Sequence, residues 1–293
     1  MNWPKGLAGE IRKSESLKKH TTFKIGGRAN FFISPNNERD LEYIVKQAKI
    51  NKIKIRVIGS GSNILVSDKG VDCAVIALNS SYFKKIVFKG NKLYVGAGAL
   101  LGRIVLSSRK KNLSGLEFLT GIPGTVGGAL VMNAGAQNKK IGDLVESILV
   151  MDTNCRLKTL GKEALSFGYR KSSLKNYIVL GVTLKLLKAA PDKIARRIRE
   201  YLKYRNFSQE YRAPSAGCIF KNPIADSAGR LIDACGLKGK KSGGAQVSLK
   251  HANFIINTGK AKAKDVERLM EMIKKQVKKK FNINLEPEIK IWK

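Results

Sequence analysis

The chain has 293 residues, a hydrophobic fraction of 43% and a net charge of +34, which allows two domains or one large domain with an attached lobe. No apolar run is long enough to span a bilayer, and Met1–Glu10 lacks the apolar segment of a secretory signal, so a cytoplasmic protein without membrane insertion is expected. Four cysteines without a C-x-x-C pair and only two histidines argue against a disulfide framework and a metal site.

The strongly basic balance has three interpretations. Nucleic-acid binding is one, but lysines and arginines are spread along the whole chain, and aromatic residues make up only 7% of it. A basic coat on a folded protein is the second. The third is that the charge raises the local concentration of anionic substrates. The sequence favours the second interpretation, and no nucleic-acid partner is expected.

Helices and strands alternate irregularly along the chain. Helical spacing of apolar residues predicts a helix over Arg39–Ile50, another from Leu100 toward Asn112, one opened by Pro191, a short one over Ser227–Cys235 that Gly236 ends, and an amphipathic one over Asp265–Lys280. Strands are expected at Ile53–Ile58, Ile86–Phe88, Leu93–Val95, Val145–Met151, Tyr177–Leu186, Asn253–Asn257 and Glu288–Trp292. The order lacks the regular βαβ alternation of a parallel α/β sheet, so it predicts an α+β fold.

Two glycine-rich segments stand out, Gly59–Leu65 directly after a predicted strand and Gly121–Gly135. Glycine allows positive φ and a close approach of the backbone to a ligand, and successive N–H groups in such loops bind phosphate. Neither segment contains G-x-G-x-x-G or G-x-x-x-x-G-K-[ST], so the Rossmann and P-loop nucleotide sites are disfavoured. The alternative is that both are tight turns of a sheet domain; two long loops of this composition favour phosphate binding.

Several motifs in one order resemble the UDP-N-acetylenolpyruvoylglucosamine reductase family, over about Thr21–Trp292. They are Thr21–Gly27 (TTFKIGG), Gly59–Asp68, Gly121–Ala136, Phe167–Arg170 (FGYR), Pro214–Pro223 (PSAGCIFKNP), His251–Asn257 (HANFIIN) and Leu285–Ile289 (LEPEI). The short spacing between Arg170 and Pro214 is similar to that of the shorter, type II subclass.

The resemblance implies a fold and a reaction. The expected fold is an FAD-binding fold of the vanillyl-alcohol-oxidase type plus an α+β substrate-binding lobe. The FAD-binding domain is expected at residues 1–205, with subdomains at about 1–80 and 81–205, and the substrate-binding domain at 206–293, with the C-terminal strand a candidate for return to the first subdomain. The implied reaction is NADPH-dependent reduction of UDP-N-acetylglucosamine enolpyruvate to UDP-N-acetylmuramate through FAD, in peptidoglycan precursor synthesis, by an enzyme expected to be monomeric.

The resemblance also assigns residues. Arg170 is expected to stabilise charge at the substrate carboxylate, since fixed cations aimed at developing charge are effective catalysts; its alternative is a surface cation. Cys218 occupies the position of the proton donor, which is usually serine in the family. A thiol, with an ordinary pKa of about 8.5, is a better acid than a hydroxyl; the alternative is a small buried residue in an inactive relative. Glu288 is expected to assist protonation, with Glu286 as the nearby alternative.

The remaining expected contacts are to cofactor and substrate. FAD contacts are expected at Gly59, Ser60, Gly61, Ser62, Asn63, Leu65, Gly121, Ile122, Pro123, Gly124, Thr125, Gly127, Gly128, Asn133, Ala134 and Gly135. Substrate contacts are expected at Tyr169, Lys221 and Asn222. His251 is expected to be structural. Another FAD-linked oxidoreductase of this fold is the competing hypothesis, which the joint presence of Arg170, Cys218 and Glu288 disfavours.

Overall fold

The structure is a computed structural model that describes residues 8–210, 213–224 and 226–293. Residues 1–7, which belong to the segment Met1–Glu10 where a secretory signal would lie, are therefore outside the described residues. The described residues divide into two units, defined by internal contacts. Unit 1 contains the residues up to Lys13, Phe31–Gly59 and Cys73–Tyr204, and unit 2 contains Ser14–Asn30, Ser60–Asp72 and the described part of Arg205–Lys293.

The described helices and strands have the following bounds. The α-helices are α1 Glu38–Ile50, α2 Leu101–Lys110, α3 Val126–Val131, α4 Pro191–Ser208, α5 Ala228–Ala234 and α6 Ala263–Phe281. The strands are β1 Glu10–Ser16, β2 Arg28–Ser34, β3 Ile55–Ile58, β4 Ile64–Val66, β5 Val71–Ala77, β6 Ile86–Lys89, β7 Lys92–Gly96, β8 Leu113–Ser114, β9 Gly135–Ala136, β10 Lys139–Lys140, β11 Val145–Met151, β12 Leu157–Gly161, β13 Phe167–Gly168, β14 Lys171–Ser172, β15 Ile178–Lys185, β16 Leu187–Lys188, β17 Ser215–Cys218, β18 Lys241–Ser242, β19 Ala245–Val247, β20 Phe254–Asn257 and β21 Lys290–Trp292. Short 3-10 helices cover Leu17–His20, Tyr82–Lys84, Glu117–Leu119, Ile141–Leu144, Lys162–Ala164 and Ser173–Asn176.

These elements confirm the predicted ones to within a few residues at their ends. In α1 the apolar residues at helical spacing are buried, and the Asn37 side chain accepts a hydrogen bond from the Asp40 N–H, which caps the first turn. The Ser227 side chain caps α5 in the same way, and Gly236 follows that helix at φ +67°. Lys278–Lys280 lies on the exposed side of α6, as predicted.

Unit 1 is built on a five-stranded antiparallel sheet in the order β12-β11-β15-β7-β6. Strands β6 and β7 form a hairpin in which Lys89 pairs with Lys92, so that the turn consists of Gly90 and Asn91. Strand β3 joins a four-stranded sheet in the order β1-β2-β5-β3 and runs parallel to β5. One hydrophobic core, with Leu41, Ile104 and Ile148 fully buried, lies within this unit.

Unit 2 contains a four-stranded sheet in the order β17-β20-β19-β18 and a second hydrophobic core. Helix α6 contributes Val266, Leu269, Ile273 and Val277 to that core, which is the stripe that the sequence predicts. Strand β21 runs parallel to β4, with Ile291 opposite Leu65.

The two segments Ser14–Asn30 and Ser60–Asp72 belong by their contacts to the same unit as the C-terminal part of the chain. The sequence places them in the FAD-binding domain. A division by contacts does not define which residues bind a cofactor, so the domain boundaries given in the sequence analysis stay a prediction.

Candidate active site

The two glycine loops approach each other at Gly59 and Thr125, both in unit 1. A Cβ atom at Gly59 would lie only 2.4 Å from the Thr125 Oγ1 atom, so no larger residue fits at position 59 without displacing Thr125. Gly121 and Gly124 have φ values of +76° and +152°, where a side chain would be strained. Glycine is therefore required by the backbone at these positions.

Backbone N–H groups of the second loop are available for a ligand. The loop is held by the Leu101 N–H, which donates to the Gly124 carbonyl at 3.1 Å, and by the Val126 N–H, which donates to the Ala99 carbonyl at 2.9 Å. Among the described residues, the N–H groups of Gly124 and Thr125 have no acceptor. Such groups suit the phosphate oxygens of FAD.

The first loop continues into unit 2 at Ser60. Gly61 has φ +62°, and a Cβ atom there would lie 2.1 Å from the His20 carbonyl oxygen. Its carbonyl accepts a hydrogen bond from the Thr22 N–H at 3.3 Å. No acceptor for the N–H groups of Ser60 and Gly61 lies within the part of the chain that the structure describes. Taken by itself, each loop has backbone N–H groups that suit phosphate oxygens, and which residues contact FAD stays a prediction.

Arg170 lies in the tight turn of a hairpin in unit 1. Strands β13 and β14 pair Gly168 with Lys171, so the turn consists of Tyr169 and Arg170. Arg170 has φ +56°, a conformation that costs a non-glycine residue about 1–2 kcal/mol. Its Nη1 atom lies 3.4 Å from the Gly135 carbonyl oxygen, and its guanidinium carbon lies 5.3 Å from the centre of the Tyr169 ring. The hairpin therefore brings the arginine to the end of the second glycine loop.

The end of that loop is fixed by a buried asparagine. Asn133 is 2% exposed, and its side chain donates to the Gly168 carbonyl at 2.9 Å and accepts from the Gly142 N–H at 3.1 Å. The Ile141 N–H donates to the Ala134 carbonyl at 2.9 Å.

Cys218 ends strand β17 in unit 2, directly after an irregularity of the strand. The register between β17 and β20 shifts between Ser215 and Cys218, where Gly217 has φ +74°. A bulge of this kind turns side chains away from the regular alternation and is frequent beside active sites. A Cβ atom at Gly217 would meet no heavy atom within 4 Å, so glycine serves the backbone conformation there and not a close contact.

Buried Asn253 holds the backbone that follows Cys218. The Asn253 carbonyl accepts from the Ile219 N–H at 2.8 Å. Its side chain accepts from the Phe220 N–H at 2.9 Å and donates to the Phe220 carbonyl at 2.8 Å. Thr22, whose hydroxyl donates to the Ser215 carbonyl at 2.7 Å, links the start of β17 to the first loop. Sequence reasoning assigned no role to Asn253 or Thr22, although both lie in motifs of the resemblance.

Glu288 lies beside the Cys218 segment. Its N–H donates to the Ile219 carbonyl at 2.8 Å, and Phe220 forms a bridge with Pro287. The Asn63 side chain donates to the Glu288 carbonyl at 3.2 Å. Within unit 2, the structure therefore brings together Asn63 of the first loop, Cys218 and Glu288.

The alternative carboxylate, Glu286, has a different environment. Its side chain is 73% exposed and lies 3.0 Å from the Lys221 Nζ atom. Asn222, the other predicted substrate contact of this segment, accepts from the Ala228 N–H at 3.0 Å. Along the paired backbones, Glu288 lies opposite Ile219 and Glu286 opposite Lys221, so Glu288 is nearer to Cys218 in that pairing. The role of Glu288 and the substrate contacts of Lys221 and Asn222 stay predictions.

His251 has a structural environment. Burial lowers the pKa of its imidazole, its Nδ1 atom accepts from the Asn253 N–H at 3.2 Å, and its ring packs on Phe254 with centroids 4.7 Å apart.

Within the described ranges, no helix combines the length and apolar character needed to cross a membrane, and no group of His, Cys, Asp or Glu side chains has the arrangement of a metal site.

Comparisons with known proteins show the family of this chain. Residues 29–161 match a family described as FAD binding domain, and residues 209–292 match the C-terminal domain of UDP-N-acetylenolpyruvoylglucosamine reductase. The chain is 42% identical over 284 residues to the UDP-N-acetylenolpyruvoylglucosamine reductase of Clostridium novyi, covering 96% of this chain and 92% of that protein. It is 42% identical over 286 residues to the Geobacter metallireducens reductase, covering 97% and 95%.

Solved structures give the same assignment. The UDP-N-acetylenolpyruvylglucosamine reductase of Thermus caldophilus is 40% identical with a TM-score of 0.85, covering 98% of this chain and 100% of that one. A variant of Phl p 4, a glucose oxidase, is 20% identical with a TM-score of 0.50 over 62% of this chain and 42% of that one, which supports the fold alone. The predicted α+β fold with an FAD-binding fold of the vanillyl-alcohol-oxidase type is confirmed. The chain belongs to the UDP-N-acetylenolpyruvoylglucosamine reductase family.

Proposed function

We propose that this protein reduces the enolpyruvyl group of UDP-N-acetylglucosamine enolpyruvate with NADPH, which yields UDP-N-acetylmuramate for peptidoglycan synthesis. It is an FAD-dependent oxidoreductase, in keeping with its family and its FAD-binding domain. The observation that carries the assignment of residues is the pairing of Ile219 and Phe220 with the Pro287–Glu288 segment, because it sets the predicted proton donor and the predicted glutamate in one local structure.

The two glycine loops would hold FAD. In each loop, two backbone N–H groups have no acceptor among the described residues, those of Ser60 and Gly61 in the first and those of Gly124 and Thr125 in the second, which supports contacts to its phosphates. The chemistry that FAD supplies when bound is the relay of hydride from NADPH to the enolpyruvyl double bond. The protein's part is to orient the substrate, to stabilise the charge that develops on it and to deliver one proton.

Arg170 would stabilise the developing charge. Hydride addition to the double bond places negative charge on the adjacent carbon and, by conjugation, on the substrate carboxylate. A guanidinium held in a tight turn is preorganised for that charge and needs little rearrangement during the reaction. The strained φ of Arg170 supports this role, because strain of this kind is retained most often where a side chain is needed at one place.

Cys218 would deliver the proton. Its S–H bond breaks as a C–H bond forms at the carbon next to the site of hydride addition, which leaves a thiolate that regains its proton from solvent before the next turnover. Glu288 would assist this protonation. Tyr169, 47% exposed, Lys221 and Asn222 would contact the nucleotide sugar.

The setting of the reaction is also part of the proposal. NADPH and nucleotide sugars are cytoplasmic metabolites, which supports work in the cytoplasm, and through its product the protein would contribute to cell shape and cell division. We propose that the protein acts as a monomer. The spread of lysine and arginine along the sequence supports a basic coat and not a nucleic-acid site.

The test is an absorbance assay on the purified protein. We expect a yellow protein, directly or after reconstitution with FAD, that oxidises NADPH only when UDP-N-acetylglucosamine enolpyruvate is present. UDP-N-acetylglucosamine, which lacks the enolpyruvyl group, is the matched control and should give no oxidation. A colourless protein that does not take up FAD, or equal oxidation with both nucleotides, would contradict the proposal.

A further inference from the structure

The Asn133 side chain connects the second glycine loop to the hairpin that carries Arg170. Asn133 is 2% exposed, so its amide is removed from solvent. A buried amide is stable only when its donor and acceptor are both satisfied. Here the donor bonds to the Gly168 carbonyl and the acceptor to the Gly142 N–H, at 2.9 and 3.1 Å.

These two bonds act on the hairpin from both sides. Gly168 is the last residue before the Tyr169–Arg170 turn. Gly142 packs against Phe167, whose ring lies so close that a Cβ atom at Gly142 would be 2.6 Å from it. Asn133 therefore fixes the carbonyl that leads into the turn and also the glycine on which the first hairpin residue packs.

The other strand of the hairpin has its own tether. The Ser172 hydroxyl donates to the Val131 carbonyl at 3.0 Å, which lies two residues before Asn133 in the chain. The guanidinium of Arg170 lies 3.4 Å from the Gly135 carbonyl, two residues after Asn133. The hairpin, the arginine and the loop are thus joined over a short stretch of backbone.

We infer that Asn133 is a positioning residue for Arg170 and that its side chain is not a ligand of FAD. The inference rests on the proposed function, in which Arg170 stabilises charge on the substrate. The amide nitrogen and the amide oxygen each bond to the protein itself, and the side chain is buried, so its remaining N–H and lone pair have little access to a flavin in this arrangement. Without the amide, the turn at φ +56° loses the contact that holds its entry.

The direct test removes the amide donor and, as in the control variant below, introduces a carboxyl group. Asn133→Asp keeps the size, the acceptor and the tolerance for the positive φ of +44° at this position, but sets an oxygen against the Gly168 carbonyl. Asn138→Asp is the matched control, because Asn138 has φ +62° and an exposed side chain in the turn between β9 and β10. The control variant should resemble the wild type in every measurement.

Stopped-flow measurements on the FAD-loaded protein separate the two half-reactions. For Asn133→Asp we expect the dissociation constant of FAD to stay within about threefold of wild type and reduction by NADPH to be unchanged. Oxidation by the enolpyruvyl nucleotide should slow by about tenfold or more, since small misplacement of a catalytic group is costly. In an Arg170→Ala background, Asn133→Asp should slow oxidation by the enolpyruvyl nucleotide no further. Equal slowing of both half-reactions, weakened FAD binding alone, or additive effects of the two substitutions would overturn the inference.

Two further measurements test the role of Asn133, one that does not require enzymatic turnover and one that uses a second variant. Hydrogen exchange on the FAD-free chain should be faster in Asn133→Asp for the amides of residues 168–172 and unchanged in the rest of unit 1; unchanged exchange in that hairpin would overturn the inference even for a protein without reductase activity. Ser172→Ala, at a partly exposed position, should slow oxidation by the substrate to a smaller extent and spare reduction by NADPH. If the wild type itself fails to respond to the nucleotide, the proposed function fails, whereas the exchange result still decides the role of Asn133.

Discussion

The turn at Arg170 allows the cost of holding this side chain in place to be measured. At φ +56°, alanine retains the left-handed strain of about 1–2 kcal/mol, whereas glycine adopts that conformation without it. Glycine also gains entropy in the unfolded chain, which offsets about 0.5–1 kcal/mol of this difference. We therefore expect Arg170→Gly to be more stable than Arg170→Ala by about 0.5–1 kcal/mol, or about 1–4 °C in Tm.

Both variants should lose turnover together. Removing a preorganised group that stabilises transition-state charge costs about two to three orders of magnitude in kcat, with reduction of FAD by NADPH preserved. Thermal unfolding followed by circular dichroism gives the stability, and NADPH oxidation gives the turnover. Lys52, exposed at φ +53° after α1, offers a control: Lys52→Gly should exceed Lys52→Ala in stability by a similar amount, with wild-type turnover in both.

Two results would contradict these expectations for Arg170. A glycine variant no more stable than the alanine variant would show that the turn does not strain the arginine. Wild-type turnover in either Arg170 variant would show that the guanidinium is not needed for the reaction. The first result would remove the argument from strain, and the second would remove Arg170 from the mechanism.

Two further predictions concern unit 2. The Asp68 carboxylate accepts from the Ala263 and Lys264 N–H groups at 2.8 and 3.2 Å, so Asp68→Ala should lower the free energy of unfolding by about 1 kcal/mol and Asp68→Asn by less; equal stability of the alanine variant and the wild type in urea would contradict this. Burial lowers the pKa of the His251 imidazole. At a pH just below the ordinary imidazole pKa of about 6.5, the unfolded chain therefore binds more protons than the folded one, and the free energy of unfolding should fall as the pH drops through that range. An NMR titration giving His251 a pKa above that of a model imidazole would contradict this prediction.

Local patterns were sufficient to predict five helices and seven strands of this fold, whereas α3 and the strands β1, β2 and β5 were not predicted. The stripe of Val266, Leu269 and Ile273 gave α6, and Gly90–Asn91 gave the hairpin between β6 and β7, because helical periodicity and turn chemistry act over a few residues. The contacts of Ser14–Asn30 and Ser60–Asp72 with the C-terminal part of the chain depend on long-range bonds, such as the Thr22 hydroxyl to the Ser215 carbonyl. No local pattern contains that information.

The candidate site was predictable to a different extent. Motif order led to Arg170, Cys218 and Glu288, and the structure adds how the latter two are paired through Ile219 and Pro287. Motif order could not predict the left-handed backbone conformation of Arg170, since arginine is not a residue that tight turns favour. Nor could it show that the Asn133 amide points inward, because asparagine in a glycine-rich loop is equally compatible with contact to a ligand.

The thiol at Cys218 is the central group of the proposed mechanism, and one measurement tests its role most directly. In anaerobic stopped-flow with FAD-loaded protein, Cys218→Ala should be reduced by NADPH at the wild-type rate and then fail to pass hydride and proton to the enolpyruvyl nucleotide, while Cys218→Ser should retain part of that second step. If the alanine variant completes substrate reduction at the wild-type rate, Cys218 is not the proton donor and the proposed mechanism is wrong.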